Sequence, residues 1–112
     1  MLIVPEFGKD QFPKSSNYQQ GRMYRRLVAN MKPRTDWTIS TVDRLINDVF
    51  RRLGESPRPI CLYGHSGVGQ FVHRYMMFGR AERIVRAVAA NSGWYMMPDP
   101  DTRFPCGLLG TP

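Results

Sequence analysis

Residues 60–71 read Ile-Cys-Leu-Tyr-Gly-His-Ser-Gly-Val-Gly-Gln-Phe, a stretch that joins an apolar strand pattern to a helical one. The apolar run 60–63 is typical of a buried strand, and it stops at Gly64. A helical spacing of apolar residues begins directly afterwards, at Val68. The change of period predicts that Ser66 lies on a sharp turn between strand and helix. The first N–H groups of such a helix have no partner inside it, so they face whatever Ser66 attacks.

One known turn of this form is the phosphate-binding loop, G-x-x-x-x-G-K-[ST]. Gly64 and Gly69 fit its two glycines. The following Lys and Ser/Thr positions hold Gln70 and Phe71, so the phosphate-binding cation and the hydroxyl for Mg²⁺ are both missing. The sequence therefore disfavours nucleotide binding.

The other known turn is the nucleophile elbow, G-x-S-x-G, in which a strained turn exposes a reactive serine. Gly64 and Ser66 match, but Val68 occupies the last glycine position, and a glycine follows one place later at Gly69. A β-branched residue at position 68 is expected to crowd the turn or push the helix outward. An ordinary strand-loop-helix connection with a structural serine is the alternative interpretation.

Further segments extend the match beyond the turn. They are residues 63–66, 69–75, 87–95, 98–99 and, near the start, 4–7. Together they resemble the α/β-hydrolase superfamily, in its esterase-like branch related to polyhydroxybutyrate depolymerases. The resemblance covers a middle segment of that fold. It implies that residues 1–112 form a single partial domain, without the early strands that carry the oxyanion loop and without the C-terminal acid and histidine segment.

The resemblance implies a serine hydrolase that acts on carboxylic esters and uses no cofactor or metal. Ser66 is then the nucleophile and the Gly67 N–H stabilises the oxyanion. Ligands of parallel sheets bind outside the carboxyl ends of the strands, where Ser66 and residues 91–95 both emerge. The candidate substrate-pocket residues there are His65, Asn91, Trp94 and Tyr95. Asp99, after the last strand, is a candidate for the catalytic acid.

Neither histidine of the chain is expected to be the catalytic base. His65 precedes Ser66 and points elsewhere around a tight turn, where it is expected to fill space. His73 lies roughly 10 Å further along the helix axis, whereas a base must come within roughly 3 Å of the hydroxyl. The chain alone is therefore predicted to lack the family's histidine. A catalytically inactive remnant, or a binding module of the same fold, is the alternative function.

The remaining pattern predicts an α/β fold, a partial three-layer α/β/α sandwich with parallel strands. The helix between Trp37 and Gly54 has the clearest amphipathic spacing, with Thr35 or Asp36 as its cap and an Asp48–Arg52 pair on its wet face. The expected segments are a strand at 1–4, a loop at 8–21, a helical turn within 23–31, a helix from 67 to Phe78, a mostly buried strand at 84–90 and a loop from Pro98 onward. Residues 60–63 are expected to pair in parallel with 84–90.

Composition narrows the function classes further. The chain has 112 residues and a formal net charge of +7, from 16 Lys and Arg against 9 Asp and Glu. A basic nucleic-acid-associated protein is the third alternative, but no nucleic-acid-binding motif accompanies the charge, so no nucleic-acid partner is expected. Two separated cysteines do not form a disulfide framework. With no apolar run approaching a membrane span and no apolar leader, we expect no membrane partner and a cytoplasmic location.

Overall fold

A computed structural model describes residues 1–25 and 30–112. Within these described residues, the helices and strands are, in chain order, α1 (Ser16–Gln19), α2 (Thr38–Leu53), β1 (Ile60–His65), α3 (Gly67–Phe78) and β2 (Ile84–Ala90). Short 3₁₀ turns at Arg34–Asp36 and Ala81–Arg83 precede α2 and β2. In the described ranges, no helix combines the length and the apolar character needed to cross a membrane.

The two strands form a parallel pair, as predicted. Their register runs from Cys61 opposite Arg86 to His65 opposite Ala90. Helix α3 makes the connection between them and packs against both. The carboxyl ends of β1 and β2 therefore meet at one edge of the sheet, and the residues after each strand emerge there together. This arrangement is an α/β structure with its candidate site at the predicted edge.

The predicted burial of the strands is wrong for β2 and only half right for β1. Helix α3 covers one face of the sheet, and the opposite face exposes Tyr63, Val85 and Val88, which are 66%, 61% and 50% accessible. In the part of the chain that the structure describes, no further layer covers this face. The apolar composition that predicted burial thus produces an open apolar surface instead.

Helix α2 confirms the amphipathic pattern. Its inward residues Val42, Ile46 and Phe50 are buried, and Asp48 pairs with Arg52 at 2.6 Å on the wet face. Gly54 ends the helix in the left-handed region, at φ 66°, which a residue without a side chain adopts readily. The predicted cap at Thr35 or Asp36 is wrong.

At the observed start of α2, the preceding turn, and not a side-chain cap, supplies hydrogen-bond partners. Trp37 occupies the cap position and forms no side-chain cap hydrogen bond. The 3₁₀ turn before it brings the Trp37 N–H to the Arg34 carbonyl, at 3.2 Å. The Ser40 hydroxyl then donates to that same carbonyl at 2.7 Å, so the entry to the helix is closed by the preceding turn.

The N-terminal segments differ most from expectation. Residues 1–4 form no strand and are exposed, and the predicted loop 8–21 contains the short helix α1. The helical turn expected within 23–31 falls partly on residues 26–29, which lie outside the described residues. At the flanks of that gap, Tyr24 and Met31 form an isolated antiparallel bridge.

The core lies between α2, α3 and the covered face of the sheet, and the C-terminal tail contributes to it. Its buried members are Met23, Trp37, Ile39, Val42, Ile46, Phe50, Phe71, Tyr75, Phe78, Met96 and Phe104. The tail beyond Pro98 is irregular, as predicted, but Phe104 anchors it in this cluster.

Candidate active site

Ser66 is the single residue between the end of β1 and the start of α3. Its backbone has φ 53° and ψ −118°, a conformation that is strained for any residue with a side chain. Two hydrogen bonds hold it there. The Ser66 N–H donates to the Ala90 carbonyl at 2.9 Å, and the Ser66 carbonyl accepts from the Gln70 N–H at 3.2 Å. The side chain is exposed at the carboxyl edge of the sheet.

The first turn of α3 places unpaired N–H groups next to Ser66. Gly67, Val68 and Gly69 are too early in the helix to donate to a carbonyl within it, and no side chain caps this end. The helix dipole adds partial positive charge at the same point. The turn is therefore suited to stabilising negative charge that develops beside the Ser66 hydroxyl.

Two glycines allow the helix to approach the strands this closely. A Cβ at Gly64 would lie 2.5 Å from the Val68 carbonyl oxygen, and one at Gly69 would lie 2.9 Å from the Ala90 carbonyl oxygen. Val68 itself is 40% exposed. The crowding expected from Val68 stays a prediction. The glycine that close packing requires is Gly69, one place later.

His65 and Asn91 flank Ser66 at the ends of the two strands. The Asn91 Nδ2 donates to the His65 Nε2 at 3.0 Å, and both side chains are exposed. Asn91 has φ 47°, so the chain turns sharply as it leaves β2. His65 does not fill space beside the turn as expected, because the sheet face on which it lies is uncovered. Of the four candidate pocket residues, His65 and Asn91 therefore lie beside Ser66.

Trp94 and Tyr95 lie along the side of α3 instead. The Trp94 ring packs on the Arg74 guanidinium, with 4.8 Å between the guanidinium carbon and the ring centre. The Tyr95 hydroxyl donates to the Ala89 carbonyl at 2.8 Å. Tyr95 also lines a cavity of about 290 Å³ that runs from Val72 to Met77 of α3, which Ser66 does not line. A substrate-pocket role for these two residues stays a prediction.

Asp99 is engaged in a turn of the C-terminal tail. Its carboxylate accepts from the Thr102 hydroxyl at 2.6 Å and from the Asp101 N–H at 2.9 Å. These hydrogen bonds, with that of Thr102 the larger, lower the pKa of Asp99 below its usual range. The carboxylate is thus ionised and already partnered, and its assignment as the catalytic acid stays a prediction.

His73 uses both ring nitrogens for structure. The Met96 N–H donates to Nε2 at 3.0 Å, so Nδ1 carries the proton and points to the Gly69 carbonyl at 3.2 Å. Burial, and then the positive charge of Arg74, lower the pKa of His73 below 6.5, against the opposing effect of the bond to Gly69. The neutral ring joins α3 to the tail, and protonation of Nε2 would break the bond to Met96.

We therefore expect the chain to lose stability between about pH 6.5 and the lower pKa of folded His73. In this window the unfolded chain binds a proton that the folded chain does not, so the free energy of unfolding falls as the pH falls. Above pH 6.5 this loss is absent. Urea midpoints measured from pH 5 to 7.5 test this loss of stability. His73→Phe should flatten the plot of midpoint against pH, whereas His65→Gln, at the exposed histidine, should not. Parallel profiles for wild type and His73→Phe would contradict the prediction.

Arg74 and Gln19 are the residues that the sequence did not indicate. Arg74 is 0% exposed, and its guanidinium donates to the carbonyls of Gln19, Gln70 and Pro105 at 2.9–3.0 Å. The Gln19 side chain lies against Gly67, where a Cβ would meet its Nε2 at 2.6 Å. Arg74 thereby ties α1 and the tail to the helix that begins at Ser66. The signal for Arg74 in the sequence is its position one turn after Gln70 in a mostly apolar helix.

Solved structures resemble the chain over nearly its whole length. A poly(aspartic acid) hydrolase from Sphingomonas sp. KT-1 matches with 36% identity and a TM-score of 0.85 over 96% of this chain. A poly(3-hydroxybutyrate) depolymerase from Bordetella parapertussis matches with 33% identity and a TM-score of 0.84, also over 96%. The chain is related to these hydrolases. The resemblance predicted from the sequence is thereby confirmed.

The relationship covers only part of each hydrolase. The chain spans 40% of the length of the Sphingomonas protein and 36% of that of the Bordetella protein. No protein-family model matches the chain, and no curated protein matches it.

Proposed function

We propose that the chain is the central part of a serine hydrolase of the α/β-hydrolase type, with a nucleophile elbow at Ser66, and that it acts on carboxylic esters. The observation that carries the proposal is the strained backbone of Ser66, pinned by the Ala90 carbonyl and the Gln70 N–H. Strain of this kind persists where function requires it. The relationship to two hydrolases that are 36% and 33% identical to this chain over the aligned part supports the same reaction class.

In the proposed reaction, a base takes the proton of the Ser66 hydroxyl while Oγ attacks the ester carbonyl. The carbonyl oxygen becomes an oxyanion, which accepts a hydrogen bond from the Gly67 N–H. Collapse expels the alcohol, which leaves with the proton, and an acyl group stays on Ser66. Water then releases the acid by the same route. His65 and Asn91 flank the position that the substrate would occupy.

The base in this proposal comes from outside the residues that the structure describes. His73 has both ring nitrogens engaged, with Gly69 and Met96. His65 has its Nε2 bonded to Asn91. These contacts also favour the second candidate, a binding module that keeps the Ser66 turn without the chemistry.

Labelling with a fluorophosphonate tests the proposal, because this probe reacts with an activated serine hydroxyl. We expect the isolated chain to be labelled slowly at Ser66 and to show no ester turnover above the uncatalysed rate. Ser66→Ala should abolish the label, and Ser56→Ala, at an exposed loop serine, should leave its rate unchanged.

Mass spectrometry of the labelled peptide gives the readout. Label that persists in Ser66→Ala would show that another residue is the nucleophile. Complete absence of label from a folded wild-type chain would favour the binding module instead.

A further inference from the structure

A second concave site lies where α2 begins. It is a polar cavity of about 260 Å³ lined by Arg22, Lys32, Thr35, Asp36, Thr41 and Arg44. Its lining thus contains three cationic residues and one acidic residue. The cavity is separate from the residues that flank Ser66.

The positive charges of this cavity are only partly neutralised, by Asp36. In residues 1–25 and 30–112, the ion pairs join Asp48 and Glu55 to arginines elsewhere, and none involves a cation of the cavity. Burial, and then the positive charge of Arg22, lower the pKa of Lys32, and Asp36 opposes them only in part. The cations therefore repel one another, and an anion between them would relieve that repulsion.

The cavity is built on fixed backbone. The Lys32 N–H donates to the Met23 carbonyl at 2.8 Å, and the Lys32 carbonyl accepts from the Trp37 indole at 3.0 Å. Arg44 donates to the Thr35 carbonyl at 3.1 Å and to the Thr41 hydroxyl at 3.0 Å. A guanidinium has five N–H donors, so Arg44 retains donors for a ligand. Groups held in place in this way lose little freedom on binding.

Arg22 adds a second, independent observation. Its φ is 55°, a left-handed conformation that is uncommon for a residue with a side chain. Its guanidinium lies 5.9 Å from the centre of the Phe12 ring. Both sequence neighbours of Arg22 are held in place. The Gly21 carbonyl accepts from the Thr38 N–H at 2.9 Å, and the Met23 side chain is fully buried. The surrounding structure thus maintains the strained backbone of Arg22, a residue that lines the cavity.

We propose that Arg22, Lys32 and Arg44 form a binding site for an oxyanion, either a carboxylate or a phosphate group. Thr35 and Thr41 also line the cavity, where the Thr41 hydroxyl donates to the Trp37 carbonyl at 3.2 Å. The site does not depend on Ser66 being a nucleophile. It does lie near that turn along the chain, because Gln19, which contacts Gly67, is followed by Arg22 after a span of at most about 11 Å. A carboxylate of an acidic polymer and a free inorganic anion are both sources of the required chemistry.

Calorimetric titration of the whole chain with sodium phosphate, against sodium chloride of equal ionic strength, tests the site. We expect saturable binding, with Lys32→Gln and Arg22→Gln each weakening it about tenfold or more, since hydrogen bonds to charged groups contribute that much. Lys14→Gln removes an exposed lysine elsewhere and should leave the affinity unchanged. No saturable binding to wild type, or equal affinities for Lys32→Gln and Lys14→Gln, would overturn the proposal.

Arg22→Gly keeps the test decisive if other variants fold poorly. Glycine adopts the observed φ without strain, so the urea midpoint should hold or rise while phosphate affinity still falls about tenfold. Wild-type affinity in this variant would overturn the assignment. A short poly(aspartic acid) added to the phosphate titration separates the two sources of the oxyanion. Competition of the polymer with phosphate supports polymer carboxylates as occupants. Saturable phosphate binding that the polymer does not weaken supports a site for small free anions.

Discussion

Alanine in place of Gly64 is expected to lower the free energy of unfolding by about 3 kcal/mol or more, at the upper end of the usual cost of overpacking. The added Cβ would lie 2.5 Å and 2.6 Å from the carbonyl oxygen and carbon of Val68, and 2.7 Å from the Val72 Cγ2. Two of these atoms belong to the backbone of α3. They cannot move aside by a change of rotamer, so the helix must shift away from β1.

The effect should reach the candidate nucleophile. A shift of α3 pulls on Ser66, whose carbonyl accepts from the Gln70 N–H. We therefore expect the Gly64→Ala chain to lose its slow fluorophosphonate labelling as well as its stability. Gly8→Ala is the matched control, since nothing lies within 4 Å of a Cβ at that position. Urea denaturation measures both variants, and equal midpoints would mean that the close approach of α3 to β1 is not required.

The strand-turn-helix around Ser66 could be predicted because its signals are local. Apolar residues change period at Gly64, and the structure places Ser66 between β1 and α3 as predicted, although β1 continues two residues beyond the predicted 60–63, to His65. The end of α2 at Gly54 is equally local, since a left-handed residue there needs only a glycine. The role of Gly69 could not be predicted, because it depends on the Ala90 carbonyl, which the fold brings beside the turn from β2.

Burial in the sheet could not be predicted for a related reason. The composition of β2 shows that its residues tolerate an apolar environment, but it does not show what covers each face. In the described residues α3 covers one face only, so Val85 and Val88 are exposed despite their composition. The fold class is thus a property of the pattern along the chain, whereas strand burial is a property of the layers that pack around it.

The side chains that hold the site together depend on contacts distant in sequence. The distance of His73 from Ser66 along the helix excludes it as the base from the sequence alone, whereas its hydrogen bond with the Met96 N–H depends on the fold. Arg74 is one of the many arginines of the chain. Its three carbonyl partners come from α1, α3 and the tail, and no local pattern indicates that these segments converge on it.

Arg74→Met is expected to lower the free energy of unfolding by about 2–4 kcal/mol. Two opposing effects set this range. Burial lowers the pKa of Arg74 to about 10, which shows that the charged form is disfavoured in the core, and methionine removes that cost. Methionine also leaves the carbonyls of Gln19 and Pro105 without their donor, removes the second donor of the Gln70 carbonyl, and removes the guanidinium from the Trp94 and Phe104 rings. Three lost partners outweigh one relieved charge, so the net effect is destabilising.

Two further variants separate this role from the general effect of losing an arginine. Arg51→Met removes an exposed arginine whose side chain is 73% accessible and pairs with Asp48, and it should cost less than about 1 kcal/mol. Arg74→Lys keeps the charge but has one ammonium group for three carbonyls that lie in different segments, so its midpoint in urea should fall between those of wild type and Arg74→Met. If Arg74→Met and Arg51→Met had similar small effects, the three carbonyl bonds would contribute no net stability, and α1 and the tail would be held to α3 by apolar packing alone.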